Sequence, residues 1–239
     1  MRELPGTASA ERKRWALVAA CVVAGGLSVR PDGLGTPLAA MGAGLVGWLA
    51  QWVWEWSRLP AYMRSRTEHD QAWRVLQPLR WLTLGLVVGL MLLAVIRLVI
   101  EPAVPSIGMR LAAAGALPLW RRVIIIYVAA VLEELIFRLL LLSTVVGVII
   151  RLLRSTTLVP RPGIVWAANA VAALAFGVAH LPSWSSAPGT AMLTVSVLAL
   201  NTIAGLVIGY VFTTRGIGPA IWTHVGGDCV IQLLGPLTN

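Results

Sequence analysis

The stretch VAAVLEELIFRLLLL, residues 128–142, decides the fold class of this chain, because it carries three charged residues inside an otherwise apolar run. These residues are Glu133, Glu134 and Arg138. The run is typical of a membrane-spanning helix, which needs about 20 mainly apolar residues. Each charge near the centre of such a helix costs about 2.5 to 3.5 kcal/mol. Charges kept at this cost usually have a function, so the stretch predicts a membrane protein with a polar site.

The composition supports a membrane protein. Of the 239 residues, 58% are hydrophobic and 12% are charged, whereas soluble domains have about 25% charged residues. We therefore predict an all-α fold, a polytopic transmembrane helical bundle with seven or eight spans. Seven apolar runs are expected to span, namely 15–29, 34–54, 81–100, 123–150, 164–180, 190–212 and 218–235. A short run at 111–120 is expected to be either an eighth span or a helix lying at the interface.

The net charge of +9 does not indicate nucleic-acid binding, because the cations lie between the apolar runs. Cationic loops normally stay in the cytoplasm. This rule favours seven spans and places the N-terminus in the cytoplasm, in a multi-pass protein of the cell membrane. His69, in a polar loop, is expected to be a solvated loop histidine.

The two halves of the chain differ in their intramembrane ionisable groups. We predict an N-terminal transmembrane region at 1–120 and a second domain at 121–239. The second region holds six such groups, Glu133, Glu134, Arg138, His180, His224 and Asp228. Groups of this kind usually face a bundle interior or a wet cavity and mark a functional site.

The spacing of the charges in the opening stretch divides their roles. Glu134 and Arg138 are four residues apart, so they share a helix face and can pair. Glu133 is rotated by about 100° from Glu134 and has no cation three or four residues further on. This carboxylate is therefore available as a general base toward water.

Two more pairs follow the same four-residue spacing. In FGVAH, Phe176 can pack beside His180, and in HVGGD, His224 shares a face with Asp228. The two glycines of HVGGD are expected to leave room for a substrate backbone. Together with Glu133, these side chains could hold a zinc ion that activates water. Alternatively, Glu133 and His180 could activate water directly, with His224 and Asp228 stabilising the oxyanion.

The two histidines differ in expected depth. With straight full spans, His180 and His224 would lie about 15 Å apart along the membrane normal, as counted from the helix rise. We expect the helix at 164–180 to be tilted or submerged. Glu133 and both imidazoles would then lie within about 4 to 8 Å of one another, the span of one bound water and its partners.

The three motifs, in this order, resemble the CAAX-protease and bacteriocin-processing (CPBP, ABI) family of intramembrane endopeptidases, including the type 2 CAAX prenyl proteases. The residues that carry the resemblance are Glu133, Glu134 and Arg138, Phe176 and His180, and His224 and Asp228. It implies that Glu133 and His180 activate water and that His224 and Asp228 form the oxyanion site. Asp228 stands where the prenyl-protein proteases carry asparagine.

The sequence therefore predicts an intramembrane endopeptidase that hydrolyses a peptide bond of a membrane-associated protein or peptide. Its expected partners are this substrate and the lipid bilayer, with no nucleic acid. We favour a metal-free mechanism, with zinc held by Glu133, His180, His224 and Asp228 as the alternative. Two other functions stay open, a non-catalytic membrane binding or immunity protein on the same fold and a proton-coupled transporter.

Overall fold

The computed structural model describes residues 7–28, 35–67, 77–184 and 191–238. Within these ranges the chain is helical and has no strand, so the predicted all-α fold is confirmed. His69 lies outside the described residues. The helices are α1 Thr7–Ser28, α2 Gly35–Trp56, α3 Leu59–Thr67, α4 Gln77–Val95, α5 Ser106–Gly115, α6 Leu119–Glu134, α7 Pro162–Trp184, α8 Ala191–Arg215 and α9 Ile217–Cys229.

Three of these helices continue past their last α-helical residue. α4 runs into a π-helical turn, Ile96–Ile100. α6 continues as a π-helix, Leu135–Leu142, and then as an α-helix, Ser143–Leu152. α9 continues into a π-helical turn, Val230–Leu234. Short π-helical segments inside α-helices occur often at functional sites.

Four helices of the described chain are long and apolar enough to cross a membrane. They are Pro78–Ile100, Leu119–Leu152, Pro162–Ser183 and Ala191–Arg215. The predicted runs at 34–54 and 218–235 are also helical, as α2 and α9, but are not among these four. The total of seven or eight spans stays a prediction, as does the division into regions 1–120 and 121–239.

The eighth span considered at 111–120 is not one helix. α5 ends at Gly115, and α6 begins at Leu119 after Pro118, which has extended backbone angles. Proline disfavours helical angles in the residue before it and has no N–H to donate, so a helix break here is expected. The sequence prediction overlooked this break because the apolar run continues across it.

The middle of α6 lies in the main hydrophobic core. Leu135, Leu139 and Leu142 are at most 3% exposed, and the core they form also takes residues from α1, α2, α7 and α8. A second core joins the end of α4 to α5, α8 and the turn after α9. The face of α6 that carries Glu134 and Arg138 is therefore buried in protein.

The close crossing of α4 and α9 depends on glycines. A Cβ atom on Gly226 of α9 would collide with the backbone of Leu82, Leu86 and Gly85 in α4. We expected Gly226 to leave room for a substrate backbone, and this was wrong, because the backbone it admits is that of α4. Gly227, by contrast, lines a cavity.

Helix α7 packs antiparallel against α8, and contacts at small residues fix the register. Gly177 lies against Leu198 and Thr202, and Gly205 lies against Ala173. These contacts show which residues of α7 lie at the same level as which residues of α8. This register places the residues around 201 of α8 beside Gly177.

Two arginines hold the chain after α9. Arg97 pairs with Glu101, with 2.6 Å between Nη1 and Oε2, and donates from Nη2 to the carbonyl of Gly235 at 2.6 Å. Arg122 donates to the carbonyls of Gln232 and Leu233. These contacts satisfy carbonyl groups at the end of the last helix, where intrahelical partners run out.

Candidate active site

The two glutamates of α6 have different surroundings. The Glu134 side chain is fully buried, whereas that of Glu133 is 28% exposed and lines a cavity. Glu134 Oε2 lies 3.3 Å from Nε of Arg138. The division of roles drawn from the spacing thus corresponds to a division in space, with one carboxylate in the core and the other facing the cavity.

Few groups stabilise the positive charge of Arg138. Its side chain is fully buried, and the guanidinium has no hydrogen-bond partner among the described residues. Besides Glu134, it faces the ring of Phe176, with 5.1 Å from Cζ to the ring centroid. A buried cation with so few partners makes the charge of Glu134 necessary to the fold.

Glu134 has a second partner that the sequence did not indicate. Its Oε1 lies 2.9 Å from Nδ1 of His224, and both side chains are buried. A carboxylate only accepts, so His224 donates from Nδ1 and its Nε2 is the atom left for other partners. Glu134 therefore orients His224 as well as pairing with Arg138.

His180 is oriented by the backbone of its own helix. Its Nδ1 lies 2.8 Å from the carbonyl oxygen of Phe176, one turn earlier. Because a carbonyl only accepts, Nδ1 carries the hydrogen, and Nε2 is again the free ring nitrogen. Both histidines thus present Nε2.

The two Nε2 atoms face the same oxygen. Oε2 of Glu133 lies 3.8 Å from Nε2 of His180 and 3.7 Å from Nε2 of His224. Oδ2 of Asp228 lies 3.8 Å from the same nitrogen of His224. These separations are too long for direct hydrogen bonds and short enough for one water to touch two of the groups. The expected proximity of Glu133 and both imidazoles is therefore found.

Phe176 fills the space between these groups. Its ring centroid is 4.5 Å from that of His180 and 5.8 Å from that of His224. Phe137 packs edge-on against the same ring at 5.3 Å. The expectation that Phe176 packs beside His180 is confirmed, and the ring also contacts His224 and Arg138.

The expected tilting or submerging of the helix at 164–180 stays a prediction. α7 extends past His180 to Trp184, with Pro182 inside the helix, and is long enough to span. α9 is the short helix, with 13 α-helical residues before its π-helical turn.

The polar groups lie in a cavity of about 690 Å³. This volume is in the range of binding pockets for small ligands and short chain segments, about 300 to 1,000 Å³. Most of the wall is aliphatic, from α4, α5, α6, α8 and α9. Besides the residues named from the motifs, the lining includes polar side chains that the sequence did not single out, Arg110, Ser183, Asn201, Thr223 and Gln232.

The site contains side chains of the types that bind metal ions. Carboxylate oxygens and imidazole nitrogens are ligands that zinc accepts. Within the described parts of the chain, however, no group of three or more histidine, cysteine, aspartate or glutamate residues is arranged to hold an ion.

Comparison with known proteins identifies the region that holds the site. Residues 115–230 match the family model described as Type II CAAX prenyl endopeptidase Rce1-like. The matched region contains all three motifs, so the resemblance drawn from them is confirmed. No curated protein matches the chain, and no solved structure matches it.

Proposed function

We propose that this protein is an intramembrane endopeptidase, because residues 115–230 belong to the type II CAAX prenyl endopeptidase family. It would hydrolyse a peptide bond in a membrane-associated protein or peptide. One observation carries the proposal, namely that Nε2 of His180 and Nε2 of His224 both face Oε2 of Glu133, at 3.8 and 3.7 Å.

In this proposal, Glu133 and His180 activate the water. A water between Glu133 Oε2 and His180 Nε2 donates its hydrogens to both acceptors. Glu133 takes one proton while the water oxygen attacks the carbonyl carbon of the scissile peptide bond. The proton then passes to the amide nitrogen of the leaving fragment, and the C–N bond breaks.

His224 and Asp228 act on the oxyanion that forms in this step. His224 lies beside three carboxylates, with its ring nitrogens 2.9 Å from Glu134, 3.7 Å from Glu133 and 3.8 Å from Asp228. These negative charges favour a positive imidazolium, which can donate from Nε2 to the oxyanion. Asp228, which only accepts when ionised, supports the charge of His224.

We further propose that the chain acts as a multi-pass membrane protein with its N-terminus in the cytoplasm and without a required metal. The cavity wall is largely aliphatic, which suits an apolar peptide segment delivered from the lipid bilayer.

The central experiment compares the wild-type protein with Glu133→Gln after reconstitution in liposomes. Each is incubated with a total membrane extract, and new peptide N-termini are quantified by mass spectrometry. We expect cleavage products from the wild type and none from the variant, because the amide cannot accept the proton.

Glu55→Gln is the matched control, since Glu55 is an exposed partner of Arg14 far from the motifs in sequence. It should cleave like the wild type. Equal product formation by wild type and Glu133→Gln would contradict the proposal. The absence of cleavage from every variant, with a cellular function that survives Glu133→Gln, would favour a non-catalytic binding protein.

A further inference from the structure

Asn201 of α8 is a polar residue of the cavity to which no motif assigns a role. It lies in the middle of an apolar helix, Ala191–Arg215, and lines the same cavity as Glu133, His180 and Asp228. A carboxamide inside a membrane protein has to find partners for its donors and acceptor, so it usually has a structural or functional use. A carboxamide in the wall of the candidate active site is therefore expected to have such a use.

The register between α7 and α8 places Asn201 at the level of the site. Gly177 lies against both Leu198 and Thr202, the residues on either side of Asn201 along α8. Gly177 follows Phe176 and precedes His180 by three residues, which is about 4.5 Å along the helix. Asn201 is therefore beside the turn of α7 that carries Phe176 and His180.

The amide group of Asn201 is oriented by its own helix. Nδ2 donates to the carbonyl of Val197 at 2.8 Å. A carboxamide nitrogen carries two hydrogens, so one remains for a partner in the cavity. The bond to Val197 also restricts rotation of the side chain, which makes the second N–H a pre-positioned donor.

Several hydrogen-bond donors of this cavity are already engaged, whereas Arg110 and Gln232 also line it and carry donors. The hydroxyl of Ser183 donates to the carbonyl of His180, and that of Thr223 donates to the carbonyl of Pro219. Both imidazoles use Nδ1 elsewhere, as described above. The carboxylates of Glu133 and Asp228 only accept when ionised. A reaction that creates an oxyanion here needs donors, and the motif residues offer only Nε2 of His224.

We infer that Asn201 is a further catalytic residue, whose Nδ2–H donates to the oxyanion alongside His224. The inference rests on the proposed peptidase function and adds a second donor to it. Oxyanion sites commonly use more than one donor, and losing one costs about 100- to 1,000-fold in kcat. Asn201 would supply what Asp228, as a carboxylate, does not.

The test uses full-length protein in liposomes and a fluorogenic peptide that copies the sequence cleaved most by the wild type. Asn201→Leu keeps a similar side-chain volume and removes the donor. We expect kcat to fall about 100-fold or more, with KM changed less than about threefold, because the contact forms only in the transition state. Asn201→Ala should show the same split if the leucine variant folds poorly.

Thr202→Val is the matched control. Thr202 is the next residue on α8, does not line the cavity, and its hydroxyl has no hydrogen-bond partner among the described residues. Removal of this hydroxyl should leave kcat and KM unchanged.

Rescue provides a readout that a purely structural role would not give. Asn201→Gln retains a carboxamide donor, so its kcat should exceed that of Asn201→Leu by about tenfold or more. Unchanged kcat in Asn201→Leu, a loss confined to KM, or a failed rescue would each overturn the inference. A fall in kcat of about 100-fold in Gln232→Leu but not in Asn201→Leu would assign the role to Gln232 instead. If cleavage by the wild type does not require Glu133, the proposed function itself fails.

Discussion

Glu134→Gln, when compared with Glu133→Gln, separates the stability of the site from its chemistry. It leaves the shape of the side chain and removes the negative charge beside Arg138. At 3.3 Å and an effective dielectric constant of about 20, this ion pair is worth about 5 kcal/mol of Coulomb energy. Breaking a buried pair on one side costs about 3 to 5 kcal/mol, and we expect the free energy of unfolding to fall by this amount.

Glu133→Gln provides the comparison for this loss. Its carboxylate faces the cavity, and its nearest ionic partners are 3.7 and 3.8 Å away. We expect the free energy of unfolding to change by less than about 1 kcal/mol. Both variants should lose activity, Glu133→Gln because it lacks the base and Glu134→Gln because it removes a negative charge that favours the imidazolium form of His224.

The assay is reversible unfolding of purified protein in mixed micelles of neutral detergent and dodecyl sulfate, followed by tryptophan fluorescence. A double variant, Glu134→Leu with Arg138→Met, tests the reasoning further. Replacement of both charges by apolar groups should recover most of the stability, yet activity should stay lost because His224 has no acceptor for Nδ1. Equal stability of Glu133→Gln and Glu134→Gln, or an active double variant, would refute the separate roles.

Three more predictions follow from the packing and the donor set. Gly226→Ala should lower the free energy of unfolding by more than about 2 kcal/mol. Gly227→Ala should change this free energy by less than about 1 kcal/mol, since its Cβ would meet only Gly85 O at 3.8 Å. Equal effects of the two substitutions in the same unfolding assay would contradict the close crossing of α4 and α9. Phe176→Leu should lower kcat about tenfold or more, because the ring packs against both imidazoles and small misplacements of catalytic groups are costly. If Phe176→Leu cleaves the fluorogenic peptide with the same kcat as the wild type, this packing is unimportant. Treatment with a zinc chelator should leave cleavage unchanged under the metal-free proposal, and stoichiometric zinc with activity restored by the metal would overturn it.

Much of the site could be predicted from the sequence, because it is built from pairs four residues apart. Glu134 with Arg138, Phe176 with His180, and His224 with Asp228 are each local to one helix, and helical geometry alone puts each pair on one face. Apolar residues in long runs likewise determine an all-helical membrane fold, since backbone groups in lipid must be paired within the segment.

Relations between helices were beyond this reasoning. The bond from Glu134 to His224 joins residues 90 positions apart, and no periodicity within one helix encodes it. Gly226 was misread for the same reason, because its neighbour is the backbone of α4 and not a substrate. Asn201 went unnoticed because a lone asparagine in an apolar helix has no motif, and only the register of α7 against α8 places it beside the site.

The sequence by itself determined which residue types this protein holds inside its helices and which of them share a helix face. Only the tertiary structure decided which ring nitrogen each histidine presents and which carboxylate it meets. The physical reason is that residues on one helix are related by a fixed rise and rotation. The offset between two helices, by contrast, depends on where small residues such as Gly85 and Gly226 let the two helix backbones approach each other.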